Sequence, residues 1–180
     1  MYRTERLVMR EWAEADIEPF FQMCSDSDVM RFFPSVMTHE ECVGFVERQM
    51  QGHIENGFGL WALEIEGSFA GFTGLARATF ATTFTPCVEV GWRLAPWAWD
   101  KGYASEAGKE ALRIGFDEHA ISEIFSFTTE TNLPSESVMK RIGMKRREDL
   151  DFQHPNTPGW WGQPHIVYSI DQATWAEYGC

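Results

Sequence analysis

The sequence predicts an α/β fold: one central sheet of mixed strand direction with helices on both faces. Three observations predict it. Two long stretches carry apolar residues at helical spacing. Three apolar runs follow one another as a meander of strands. Strands and helices then mix without the strict βαβ alternation of a parallel sheet. The 180 residues suit one domain, residues 1–180. A chain of this size buries roughly 70% of its unfolded surface, so it needs no metal or disulfide to hold it.

Each element has its own signal. Arg6–Trp12 reads as a first strand. The segment 14–26 places Ile17, Phe20, Phe21 and Cys24 at helical spacing. Thr38 with Glu41 three residues on is a capping box, and the helix it opens runs to Asn56. Gly57 ends that helix, because glycine tolerates the left-handed stop. Residues 58–65 and 69–78 form a hairpin across Glu66-Gly67-Ser68. Cys87–Leu94 is a further strand, 102–119 the longest helix and 121–130 a strand. A short helix, 135–142, stops at Gly143. Two late strands cover 144–152 and 165–170, and a closing helix covers 171–178. The Pro- and Gly-rich piece 154–164 is a loop within the domain.

Composition excludes several function classes. The net charge of −12 repels nucleic-acid phosphate. No apolar run approaches the roughly 18 residues of a membrane span, and the charged start is unlike a signal peptide. Cys24, Cys42, Cys87 and Cys180 form no C-x-x-C pair and read as reduced thiols of a cytoplasmic protein. The five histidines lack ligand spacing, so no metal is expected. With 8 Trp and 14 Phe, the core and any pocket should be rich in aromatics.

The stretch "DKGYASEA", Asp100–Ala107, is the first candidate site. A glycine at a helix start leaves backbone N–H groups bare, and with the helix dipole these bind anions. Ala104, Ala107, Gly108, Ala111 and Gly115 make a small-residue stripe that lets the helix lie close to the sheet. Lys101 adds a charge. The stretch is neither a Walker loop nor G-x-G-x-x-G, which argues against nucleotide triphosphatases and dinucleotide folds. A plain helix start explains the local pattern equally well.

The wider order, "VEVGWRLAPWAWDKGYASEA", a strand, then "TNLPSESVMKRIGM", resembles the GNAT acetyltransferase superfamily. Its pyrophosphate motif, (Arg/Gln)-x-x-Gly-x-(Gly/Ala), falls on Trp99, Gly102 and Ala104, with Trp99 departing from the pattern. "TERLVMRE", "GYASEA", "NLPSESVMKRIGM" and "HPNTPGWWGQPHIVYSIDQATW" resemble the branch of ribosomal-protein N-terminal acetyltransferases. The likeness runs from Thr4 to Trp175. It implies a GNAT fold: a mostly antiparallel sheet of about seven strands, splayed at the cofactor site. It also implies acetyl transfer from acetyl-CoA to a primary amine, either a protein α-amine or a small amine such as a polyamine, amino acid or antibiotic. A non-catalytic acyl-CoA sensor is the alternative, and the protein would be a monomer or homodimer.

The resemblance also implies roles. Glu89, inside an apolar strand, would accept the amine proton, directly or through water; a solvent-facing strand residue is the plainer reading. Met139 stands where many members have a tyrosine, so Ser135, or nearby Ser137, would meet the CoA sulfur. Asn132 would bind the pantetheine arm or simply cap a helix. The backbone from Val90 through Gly91, Trp92 and Arg93 to Leu94 would pair with pantetheine and polarise the acetyl carbonyl. Trp99, Asp100, Lys101, Gly102, Tyr103 and Ala104 would wrap the pyrophosphate. Phe32, Phe33, Trp160 and Trp161 would flank the acceptor cleft. Glu106, His165 and Tyr168 read mainly as structural.

Overall fold

Apolar residues alternate along the central strands, and this alternation sends side chains into two separate cores. In a computed structural model, residues 1–178 are described. The strands are β1 (Tyr2–Arg3), β2 (Val8–Arg10), β3 (Leu60–Ile65), β4 (Ser68–Ala78), β5 (Cys87–Leu94), β6 (Glu123–Thr129), β7 (Lys145–Arg146), β8 (Phe152–Gln153) and β9 (Pro164–Asp171). The helices are α1 (Ile17–Cys24), α2 (His39–Asn56), α3 (Tyr103–Arg113), α4 (Leu133–Arg141) and α5 (Gln172–Tyr178). A π-helical segment, Ile114–Glu118, prolongs α3.

All nine strands join one sheet, in the order β1-β2-β3-β4-β5-β6-β9-β7 with β8 also on β9. Among the described residues the sheet therefore has nine strands rather than about seven. The difference lies in two-residue pieces that carry too little sequence to show a period of two. One is β1, which precedes the expected first strand. Another comes from the expected strand 144–152, which breaks into β7 and β8 around a 3-10 turn, Glu148–Leu150. Every pairing is antiparallel except β5 with β6.

One core holds Trp61, Leu63, Leu75, Val90 and Leu94 against Ala107, Ala111, Val138 and Met139 of α3 and α4. The other holds Ala62 and Phe72 against Phe20, Cys24, Cys42 and Val46 of α1 and α2. The Thr38–Glu41 capping box opens α2 and left-handed Gly57 closes it. The small-residue stripe does pack: a Cβ on Gly108 would lie 3.5 Å from Ile142, and one on Gly115 only 2.6 Å from Ile124. Cys24, Cys42 and Cys87 are free thiols, while Cys180 lies outside the described residues. No helix among the described residues is long and apolar enough to cross a membrane.

Two glycines shape the sheet's centre. Gly71 sits at φ +124° beside a register shift at Leu63/Glu64, and a Cβ there would meet the Arg93 carbonyl at 2.1 Å. Gly74, at φ +157°, would place a Cβ 2.2 Å from the Gly59 carbonyl. Gly71→Ala is expected to cost about 2–4 kcal/mol in denaturant unfolding, because both backbone and conformation oppose it. Gly67→Ala, at φ +80° in open space, should cost only about 1 kcal/mol.

Candidate active site

The two middle strands part company early. β5 pairs with β6 only at Val88↔Ile124 and Glu89↔Phe125, although β5 runs on to Leu94 and β6 to Thr129. Along β4, by contrast, β5 stays paired from Cys87 to Leu94. Past Glu89, the edge of β5 therefore has no strand beside it, and a wedge opens between β5 and β6. Gly91, Trp92, Arg93 and Leu94 form one lip. Helices α3 and α4 begin just beyond the ends of the two parting strands.

Strand alternation sorts the lip residues. Val90 and Leu94 are buried on the α3/α4 side, with half-buried Trp92 packed beside them, so this tryptophan serves the core. Glu89, Gly91 and Arg93 take the opposite face, towards α1 and α2. Glu89 makes no hydrogen bond or ion pair among the described residues, and burial pushes its pKa up to about 7. Its strand partner Phe125 belongs to an aromatic cluster on the same face. Phe84 stacks on Phe125 at 5.4 Å; Phe127, Phe80, Phe152, His154 and His165 continue the cluster. Burial lowers the pKa of both histidines, so both tend to be neutral.

The helix-start stretch has the shape of an anion cradle. Gly102 caps α3 at φ +80° with no side-chain cap. Asp100 is also left-handed, at φ +58°. The amide of Glu106 bonds back to the Gly102 carbonyl, which leaves those of Tyr103, Ala104 and Ser105 without an intrahelical acceptor. The Ser105 hydroxyl is buried with no hydrogen-bond partner among the described residues. Bare amides and an orphaned hydroxyl fit a phosphate. Lys101 is exposed, and Ala104 packs on the core. The Trp99 indole turns inward, donating to the Leu94 carbonyl at 2.7 Å, so any phosphate contact of this residue falls to its backbone.

A clamp from the amino terminus holds this turn. Glu106 accepts hydrogen bonds from Thr4 Oγ1 (2.6 Å), the Arg6 amide (2.8 Å) and Arg6 Nε (2.7 Å). Arg6 Nη1 donates to the Lys101 carbonyl at 2.9 Å, and its guanidinium lies 4.6 Å from the Tyr103 ring centre. Burial pushes the Glu106 carboxyl up, but the bonds from Thr4 and Arg6 outweigh it and hold it below the usual range.

On the other lip, Asn132 caps α4, accepting from the Ser135 amide and donating to Thr128 Oγ1. Ser135 and Ser137 are half-buried, and neither hydroxyl makes a hydrogen bond among the described residues. Met139 is fully buried in the core. The Tyr168 hydroxyl donates to Glu136 at 2.7 Å. Arg93 covers Phe33, and Trp160 packs on Trp161, but among the described residues no ring contact joins Phe32 or Phe33 to Trp160 or Trp161. Sequence reasoning missed the Phe80–His154 cluster, Arg6, Ser105 and Thr129, whose buried hydroxyl at the end of β6 has no partner. The aromatics of "TFATTFTP" were the available signal for the cluster. No group of three or more metal-ligating side chains stands among the described residues.

A split sheet beside a glycine-opened helix start defines the class: an α/β protein with a cleft between two parting strands and bare helix-start amides suited to an anion. Residues 6–145 match the acetyltransferase (GNAT) domain, and the chain belongs to that family. An uncharacterized N-acetyltransferase, YnaD of Bacillus subtilis, is 32% identical over 173 residues, covering 96% of this chain and 97% of its own. The FsC-acetyl coenzyme A-N(2)-transacetylase of Aspergillus fumigatus is 31% identical over 126 residues, 66% of this chain and 52% of that protein. The crystal structure of a GNAT-family acetyltransferase from Bacillus anthracis has a TM-score of 0.77 at 30% identity, covering 95% and 98% of the two chains. The protein is an acetyl-CoA-dependent acetyltransferase.

Removing the clamp should loosen the cradle. Glu106→Ala is expected to weaken acetyl-CoA binding by about five- to twentyfold in calorimetry, less than the loss of a direct charge-assisted hydrogen bond, because Glu106 acts through the order of the turn. Gly102→Glu, which adds a side chain and a negative charge at the helix start, should abolish that binding.

Proposed function

We propose that the protein acetylates a primary amine held on the Glu89 face of the sheet, with the α-amine of a protein N-terminus as acceptor. One observation carries the placement: an unpartnered carboxylate with a pKa near 7, at the point where β5 and β6 separate. An α-amine titrates near ~8 and an alkyl amine near ~10, so either arrives largely protonated at neutral pH. Glu89 takes that proton, directly or through one water, and the freed amine can attack. Acetyl-CoA supplies the activated thioester. The wrap from Trp99 to Ala104 holds its phosphates, and the free edge of Gly91–Leu94 aligns the acyl arm. The hydroxyl of Ser135 or Ser137 stands ready for the departing sulfur. The sequence motifs of the ribosomal-protein branch support the protein acceptor. A small-molecule amine is the second reading, favoured by the transacetylase relative from Aspergillus fumigatus.

Acceptor panels test this directly. N-terminal peptides and small amines are offered with acetyl-CoA, and thiol release is followed. Peptides acetylated at higher kcat/KM than any small amine support the first reading, and the reverse order supports the second.

Glu89 sets the pH dependence. It must be deprotonated to act, so kcat/KM should fall about tenfold per pH unit below roughly pH 7. Glu89→Gln should lower kcat by about 10²–10⁴-fold and remove that limb, leaving only the titration of the amine itself. The same substitution has a second readout. A carboxyl whose pKa rises on folding is stabilising when protonated, and folding stability falls as pH climbs towards 7. Glu89→Gln should therefore melt higher than the parent at pH 8, with a smaller gap at pH 5.

A further inference from the structure

Arg93 is an inward-facing cation left without an anion among the described residues. It makes no ion pair among the described residues, although Arg6, Arg10, Arg113, Arg146 and Arg147 all do. Its Nε is buried with no hydrogen-bond partner among the described residues. Its Nη1 meets only two sulfurs, Cys24 Sγ at 3.3 Å and Met37 Sδ at 3.4 Å, which are weak acceptors. The guanidinium lies 4.1 Å from the Phe33 ring centre and 5.4 Å from that of Phe72. A guanidinium withdrawn from water without a carboxylate is costly, and an acidic chain of net charge −12 had many acids to offer it.

Its position explains what it lacks. Arg93 and Glu89 share one face of β5, with only Gly91 between them on that face. A Cβ on Gly91 would find nothing within 4 Å, so the floor between the two charges is open. Four residues of strand separate their Cα atoms by about 13 Å. The side chains of Glu89 and Arg93 stand at the two ends of that floor. Phe33 is 39% exposed, so the aromatic cover over Arg93 reaches the surface.

We propose that Arg93 binds an anionic group of the acceptor, a carboxylate or a phosphate, and that the enzyme selects amines carrying such a group across a spacer of several bonds. The acceptor lies over Gly91 with its amine at Glu89 and its anion at Arg93. This rests on the proposed role of the Glu89 face and names the acceptor chemistry that the face prefers.

Matched acceptors test it. Holding acetyl-CoA constant, kcat and KM are measured for 6-aminohexanoate, 6-aminohexyl phosphate and neutral 6-aminohexanamide, and for a Ser-Glu against a Ser-Gln amidated peptide. The parent enzyme should favour the anionic members by roughly ten- to a hundredfold, the scale of hydrogen bonds to charged groups, and mainly through KM. The member favoured within the hexyl series tells carboxylate from phosphate. In Arg93→Met, which keeps the packing against Phe33 and Phe72, the ratio should collapse towards one, and Arg93→Lys should restore part of it. A rise in Tm with 6-aminohexanoate, absent in Arg93→Met, reads the same contact without catalysis. Equal use of anionic and neutral members by the parent, or a ratio that survives in Arg93→Met, overturns the proposal while leaving amine acetylation intact. Acetylation of no amine, with no shift in Tm, overturns both this and the reading of the Glu89 face.

Discussion

The divergence of β5 from β6 after Glu89 is the constraint on which the rest depends. A strand cannot serve two partners that twist apart, and β5 follows β4. β4 holds β5 in unbroken register from Gly71↔Leu94 to Ala78↔Cys87. β6 is held on its other side by seven residue pairs with β9, from Glu123↔Asp171 to Thr129↔His165, and cannot follow. The wedge is the product of two well-paired halves of one sheet. Its open backbone edge, its vertex at Glu89 and the placement of both helix starts all follow from it.

The wedge also explains why charge sits where stability would not put it. Among the described residues Glu89 makes no hydrogen bond or ion pair, and the Arg93 guanidinium meets sulfurs and aromatic rings. Each costs folding energy that an apolar side chain would not. Charged groups held ready but unsatisfied are the physical basis of the acceptor site proposed above. The surrounding aromatics lower the local dielectric and raise the worth of any charge contact made there. Elsewhere the same chain pairs its charges, as in Arg10 bridging Asp16 and Glu64.

The turn that opens α3 is tied to a distant segment. Thr4 and Arg6 reach across about a hundred residues of sequence to Glu106 and Lys101. This joins the start of the chain to the mouth of α3. It gives "TER" and "GYASEA" a common physical role, though nothing in either stretch alone reveals the contact. It also shows how the turn stays ordered without the Arg or Gln that Trp99 replaces, since Arg6 braces the Lys101 carbonyl from outside.

What the sequence determined by itself was local. The Thr38–Glu41 box, the Gly57 stop, the hairpin at Glu66–Gly67 and the glycine at the mouth of α3 depend on neighbours within a few residues, and each formed as its pattern required. The motifs around Gly102 and Asn132 likewise marked the two helix starts beside the wedge. Only the tertiary structure decided which way side chains face and what covers them. Trp92 went to the core and Arg93 to the open face because a strand's two faces are told apart only by what packs on them. Phe80 and Phe84 reached Phe125 and Phe152 because a loop and three strands converge there. The raised pKa of Glu89 is likewise a property of the surroundings that bury it, assembled from strands far apart in the chain.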